Sequence, residues 1–154
     1  MTSDLLTGTP DPTAERLRFA LRPDGAPHGH VDGGWWPRST DPVAEFPALI
    51  TALASRGPIR RVSYHLGVWG PAGRRLTVAG VDVRMEGFHT PQPDIVTLIG
   101  PHLTRTVLLV VPPGTAGGAA RAVLRAAADQ GTTASVAEIL EGNGVPVSLG
   151  AVGG

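Results

Sequence analysis

The residues with the strongest claim to chemistry stand together early in the chain. His28, His30 and Asp32 alternate, so an extended backbone would turn two imidazoles and a carboxylate the same way, as the start of a divalent-metal site. Zinc needs a third or fourth strong ligand and an ordered outer shell. His65, His89 or His102 could supply one, but no spacing selects among them. A solvent-facing loop with incidental histidines is the simpler reading, and a metal-dependent hydrolase using His28, His30 and Asp32 is kept as the alternative.

Directly after them runs Val31-Asp32-Gly33-Gly34-Trp35-Trp36-Pro37-Arg38-Ser39, with two of the three tryptophans beside an acid and a guanidinium in a chain that is only 5% aromatic. Trp35 and Trp36 could stack a planar ligand or an unpaired base, with Arg38 as an anion clamp. Against that stands the large area a Trp can bury. The favoured account is that one ring anchors the loop in the core while Asp32 and Arg38 pair across the turn. Tyr64, His65 and Trp69 are the candidate neighbours of this surface.

Two further patterns are weaker. Ser63 and His65 share the polar face of one predicted strand, but no Gly-x-Ser-x-Gly elbow is present, and residues two apart on a strand face solvent or a covering helix more often than they form a catalytic dyad. Pro113 to Arg121 follows a strand and opens a helix, where backbone N–H groups could hold a phosphate. It matches no phosphate-loop pattern, and a plain turn accounts for it.

Composition removes whole classes of mechanism. The chain has no cysteine, which excludes disulfides, thiolate nucleophiles and cysteine-ligated metal sites. All 13 basic residues are Arg, so there is no lysine for a Schiff base or for a lysine phosphate loop, and no cofactor is expected. Thirteen Arg balance 13 acidic residues, and this zero net charge gives no long-range attraction for nucleic acid or an anionic membrane. Contact with single-stranded RNA or the ribosome through Arg and Trp is the second alternative. No apolar run nears the roughly 18 residues of a membrane span, and Met1 to Thr13 lacks a basic start followed by an apolar run, so a cytoplasmic protein is expected.

The elements that must position these residues can be read from periodicity. Residues 1–14 are expected to be a flexible arm, 15–142 a single domain and 143–154 a tail. Leu17, Phe19 and Leu21 alternate with arginines in a first strand, and Pro23 to Gly34 reads as a loop. Asp41 as N-cap, Pro42 at the first helical position and a stop at Gly57-Pro58 bound a helix with Val43, Phe46, Ile50 and Leu53 on its apolar face and a kink expected at Pro47. Strands follow near Val62 to Val68, across a hairpin at Ala79-Gly80, and at Ile95 to Ile99 and Thr106 to Val111, the last apolar without a break and therefore buried on both faces. Thr115 is expected to cap a helix reaching Gln130, and Ser135 with Glu138 has capping-box spacing for a last one. This order predicts an α+β fold: a mostly antiparallel sheet of about five or six strands with two or three helices packed on one face.

Two resemblances bear on function. The His28-to-Asp32 run is similar to part of the His-x-His-x-Asp-His pattern of metallo-β-lactamase-type hydrolases, but Gly33 stands where that pattern has its last His. The nine-residue run from Val31 to Ser39, with Glu45-Phe46-Pro47-Ala48-Leu49, Val62-Ser63-Tyr64-His65 and Leu108-Leu109-Val110-Val111-Pro112-Pro113, resembles an uncharacterised actinobacterial domain-of-unknown-function family with a Trp-Trp-Pro-Arg-Ser signature. The likeness covers about Arg16 to Ala128. It implies a domain extent and no catalytic residue, and its pattern begins near Asp32 without His28 or His30. The resulting expectation is a small non-enzymatic binding or regulatory module. It would use Asp32, Trp35, Trp36 and Arg38, with Tyr64, His65 and Trp69, to meet a protein or small-molecule ligand.

Overall fold

The computed structural model describes residues 17–22, 31–70, 72–89, 94–129 and 134–146; the expected N-terminal arm, His28, His30 and residues 147–154 lie outside them. In chain order the elements are β1 (Phe19–Leu21), β2 (Gly33–Trp35), α1 (Pro42–Leu53), β3 (Arg61–His65), β4 (Arg75–Val78), β5 (Val81–Phe88), β6 (Ile95–Ile99), β7 (Arg105–Val110), α2 (Gly117–Ala127) and α3 (Val136–Gly142).

The helix ends follow their local chemistry. Asp41 is extended and its carboxylate accepts from the Val43 N–H, Pro42 occupies the first turn, and the chain turns away at Gly57 with φ 138°. α1 continues through Pro47, and Thr51 donates its hydroxyl to the Pro47 carbonyl at 2.8 Å. Ser135 and Glu138 form a reciprocal capping box at α3. α2 is capped at Ala116 rather than Thr115 and ends at Ala127 rather than Gln130. Between β4 and β5 both Ala79 (φ 51°) and Gly80 (φ 81°) are left-handed, the backbone that a two-residue hairpin requires.

The strands form one sheet in the order β1-β2-β7-β6-β3-β5-β4. Seven strands exceed the expected five or six because β2 falls in a stretch read as loop. Gly33 and Gly34 carry no alternation to announce a strand, yet this backbone pairs with β1 on one side and β7 on the other. The sheet is mixed: β2 with β7 and β3 with β5 run parallel, while the other four neighbouring pairs are antiparallel.

Helices cover both faces of the sheet, which corrects the expectation of one. Leu108 and Val110 of β7 face the core under α1, where Phe46, Leu49, Ile50 and Leu53 are buried. Leu109 and Val111 face the opposite core, built with Ala120, Val123, Leu124 and Ala127 of α2 and Ile139 and Leu140 of α3. Period-two side chains of one unbroken apolar strand thus feed two layers. Val43, expected on the buried face of α1, is 53% exposed, and Leu49 takes the place it was assigned.

Candidate functional site

Trp35 and Trp36 do not form a joint platform. They are consecutive on an extended backbone, so their rings leave opposite faces of the sheet and are 1% and 7% exposed. Trp35 stacks on Trp69 with ring centres 5.4 Å apart and planes 13° from parallel. It also meets Phe46 at 5.6 Å, while Phe46 packs edge-on to Tyr64 at 5.8 Å. Trp36 lies in the core beneath α2. Both indoles therefore anchor, where one was expected to.

The backbone around them is held from several sides. Trp36 donates its N–H to Arg18 O at 2.7 Å, and Trp35 O accepts from Val111 N at 2.8 Å, which extends the pairing to β1 and β7. The Trp36 indole Nε1–H donates to Pro113 O at 3.3 Å. Arg18 lays its guanidinium 3.6 Å from the Trp36 ring centre and donates to the carbonyls of Trp36 (3.0 Å) and Pro37 (3.1 Å). Glu45 of α1 accepts from Arg38 N and from the Ser39 hydroxyl, and Thr40 O accepts from Gly70 N. The turn after β2 is thereby tied to β1, α1, the segment after β3 and the segment after β7.

Asp32 serves the sheet. Its carboxylate accepts from Val107 N at 2.8 Å instead of pairing across the turn with Arg38, whose side chain is exposed. His65, placed by alternation on a polar face, is 1% exposed. Its Nδ1 accepts from Gly67 N at 2.9 Å and its Nε2 faces His89 O at 3.0 Å. A carbonyl can only accept, so the proton sits on Nε2 and the ring is the neutral Nε2–H tautomer. With both nitrogens occupied by backbone, this imidazole has no lone pair to offer Ser63. On the charged hairpin Glu86 pairs with Arg61 and Arg84, and Asp82 with Arg75.

A cleft of about 260 Å³ opens beside the turn. β2, β3 and β7 all point their C-terminal ends to this edge of the sheet, since β2 is parallel to β7 and both β3 and β7 are antiparallel to β6. Its walls are Pro37 and Thr40 after β2, Gly67 and Trp69 after β3, Pro112 and Pro113 after β7, and the buried Asp94 before β6. The Trp69 Nε1–H is buried with no acceptor, an omission that costs about 1–3 kcal/mol. A second groove, of about 190 Å³, lies between β1 and α1 and is lined by Arg18, Trp36, Pro37, Arg38 and Glu45.

Two titrations are shifted here. Burial lowers the Arg18 pKa first, Arg38 and Arg121 lower it further, and Glu45 opposes them. Burial raises the Tyr64 pKa. Among the residues proposed from sequence, the fold brings Trp35, Tyr64 and Trp69 into one aromatic cluster and leaves Trp36 and Arg38 with Arg18. Arg18 escaped sequence reasoning because it acts 18 residues away, on Trp36, whereas Glu45 acts only six and seven residues away but carries no pattern that marks it as a clamp on the turn. Among the described residues no group of three His, Asp or Glu could hold a metal, and no helix is long and apolar enough to cross a membrane.

Compared with known proteins, residues 18–127 match a family of unknown function, DUF5994. No curated protein and no solved structure matches the chain.

Proposed function

We propose, from the premise that this chain belongs to the DUF5994 family and inherits no activity with it, that the protein is a small binding module rather than an enzyme. Its ligand is met at the surface around the Trp-Trp-Pro-Arg turn. The observation that carries this reading is the cleft at the shared C-terminal edge of β2, β3 and β7. In open sheets with parallel strands and helices on both faces, ligands seat outside the carboxyl ends of the strands, where neighbouring connections diverge to opposite sides. Here the chain leaves β2 for α1 on one face and β7 for α2 on the other, so the gap opens between those two exits.

The tryptophans support this by fixing the rim. They are buried with Pro37, and the exposed Thr40 just after them stands on the rim of the cleft. At about 260 Å³ the cleft lies just under the usual range of roughly 300–1,000 Å³ for ligand pockets, so it suits a compact small molecule. His65 is engaged by backbone at both nitrogens and so offers no base to a neighbouring hydroxyl.

The test is a screen of a small-molecule fragment library by amide and indole NMR. Binders should move the Trp69 indole resonance and the amides of residues 67–70, and Thr40→Phe, which fills the cleft from its exposed rim, should abolish the response while the fold persists. A library that leaves those signals still, or a response indifferent to Thr40→Phe, would refute the assignment.

A further inference from the structure

Arginines line up across the sheet, from β4 at its edge to β7. Arg75 of β4 is the register partner of Arg84 in β5, Arg84 of Arg61 in β3, Arg61 of Ile99 in β6, and Ile99 of Arg105 in β7. Neighbouring strands lie about 4.8 Å apart, so the line runs about 19 Å over five strands. Its side chains leave the face opposite α1, because Leu76, Val83, Val62 and Leu98, which alternate with them, pack in the core under α1. On the arginine face α2 seats on β1 and β2, and among the described residues β3, β4 and β5 give nothing to the core beneath α2 and α3. This end of the sheet therefore has its helix on one face only.

The fold itself does not call for this line. Like charges directly opposite on adjacent strands are destabilising, and Arg84 has one on each side. Counter-charge is thin: Glu86 is shared by Arg61 at 3.5 Å and Arg84 at 3.9 Å, Asp82 reaches Arg75 at 4.0 Å, and among the described residues Arg105 meets no carboxylate. The side chains of Arg75 and Arg84 are 66% and 60% exposed. A line of guanidiniums on a bare face is complementary to a line of anions. Asp82 and Glu86 flank Arg84 along β5 and oppose a nucleic acid strand, which is charged at every nucleotide. A peptide can set a carboxylate against each arginine and a neutral side chain against each acid. The exposed Phe88 stands beyond Glu86 on β5, so no ring lies in the line for a base to stack on. We propose that Arg61, Arg75, Arg84 and Arg105 form a docking line for an acidic peptide segment of a protein partner, laid across the strands and held by paired N–H bonds to its carboxylates. Arg61 and Arg105 open β3 and β7, at the opposite end of the sheet from the cleft, and the docking line does not depend on the cleft reading.

The experiment titrates the full chain into fluorescein-labelled oligoglutamate and follows anisotropy, with a Ser-Gly peptide and an oligothymidylate of equal length alongside. Oligoglutamate should bind saturably and more weakly as salt is added, the Ser-Gly peptide should not bind, and oligothymidylate should bind less tightly than oligoglutamate. Arg84 and Arg105 are exposed, so Arg84→Gln and Arg105→Gln should keep the fold and each weaken oligoglutamate binding by up to about fivefold, the worth of one exposed ion pair. The two positions are three strands and about 14 Å apart, so the double variant should lose the product of the two factors. Arg125→Gln, on the exposed side of α2, should bind like the parent. The docking line is overturned if oligoglutamate shows no saturable binding, if the double variant binds it like the parent, or if Arg125→Gln weakens it as much as the variants in the line. Oligothymidylate binding the parent at least as tightly as oligoglutamate would also overturn it, and would assign the line to nucleic acid.

Discussion

Trp35 and Trp36 share a peptide bond and belong to different cores, the first stacked on Trp69 beneath α1, the second beneath α2 with Arg18 across its face. One dipeptide therefore pins both helical layers to the sheet beside the cleft that Pro37 and Trp69 line.

Each ring should consequently be a large determinant of stability. Trp35→Ala and Trp36→Ala are each expected to cost about 3–5 kcal/mol, as for other buried aromatic truncations. Trp36→Phe keeps most of the buried area but loses the indole bond to Pro113 O and weakens the stack under Arg18, for about 1–2 kcal/mol. Urea denaturation measures all three. A cost under about 1 kcal/mol for either alanine variant would contradict burial in two cores.

The glycines before the tryptophans should separate sharply from a glycine elsewhere. A Cβ on Gly33 would collide with the Ala20 carbonyl oxygen and stand 2.9 Å from Leu21 Cα, so Gly33→Ala should detach β1 or prevent folding. On Gly34 it would meet Leu124 Cδ2 at 3.0 Å and Ala127 Cβ at 3.2 Å, pushing α2 off the sheet at about 1–3 kcal/mol. Gly118, in the first turn of α2, has nothing within 4 Å of that position, and Gly118→Ala should stabilise by about 0.4–1 kcal/mol. Thermal unfolding of the three variants checks the order; a Gly33→Ala protein as stable as its parent would deny the close β1–β2 approach.

The sequence made these helices and the hairpin legible because their signals are local. Asp41-Pro42 and the Ser135/Glu138 pair each act within one turn, and Ala79-Gly80 sits between alternating strands. What was illegible is set by distant chain. Gly33-Gly34 becomes a strand only because β1 and β7 pair with it, and the parallel β2–β7 pairing joins residues about 75 apart. Which face a helix covers leaves no periodic mark, so α1 and α2 could not be assigned to opposite sides. At the candidate site, Arg18 read as a polar strand residue, and nothing 18 positions away announced that it would cover Trp36.

His65 tests whether the apparent Ser63 dyad is structural. In the neutral ring, long-range imidazole nitrogen spectra should report the Nε2–H tautomer fixed by Gly67 N and His89 O. His65→Phe fills similar space but leaves those two backbone groups without their partner, for a loss of about 1–3 kcal/mol, whereas Ser63→Ala should change stability by less than about 0.5 kcal/mol. An Nδ1–H tautomer would reverse the hydrogen-bond assignment.

Alkaline pH isolates one side chain. Tyr64 is the only tyrosine, and with neither cysteine nor lysine in the chain, it is the only side chain expected to ionise between the histidines and the arginines. Burial raises its folded-state pKa above the ordinary value of about 10 that the unfolded chain keeps. Between those two pKa values the unfolded state releases the proton while the folded state holds it, so unfolding gains free energy as pH rises. The stability Tyr64 contributes is therefore complete below about pH 10 and is lost as pH climbs through the folded pKa, at up to about 1.4 kcal/mol per pH unit. Near-ultraviolet absorbance should show phenolate appearing later in the folded protein than in urea. Tyr64→Phe should flatten the alkaline fall in melting temperature; an equally steep fall in that variant would move its cause away from Tyr64.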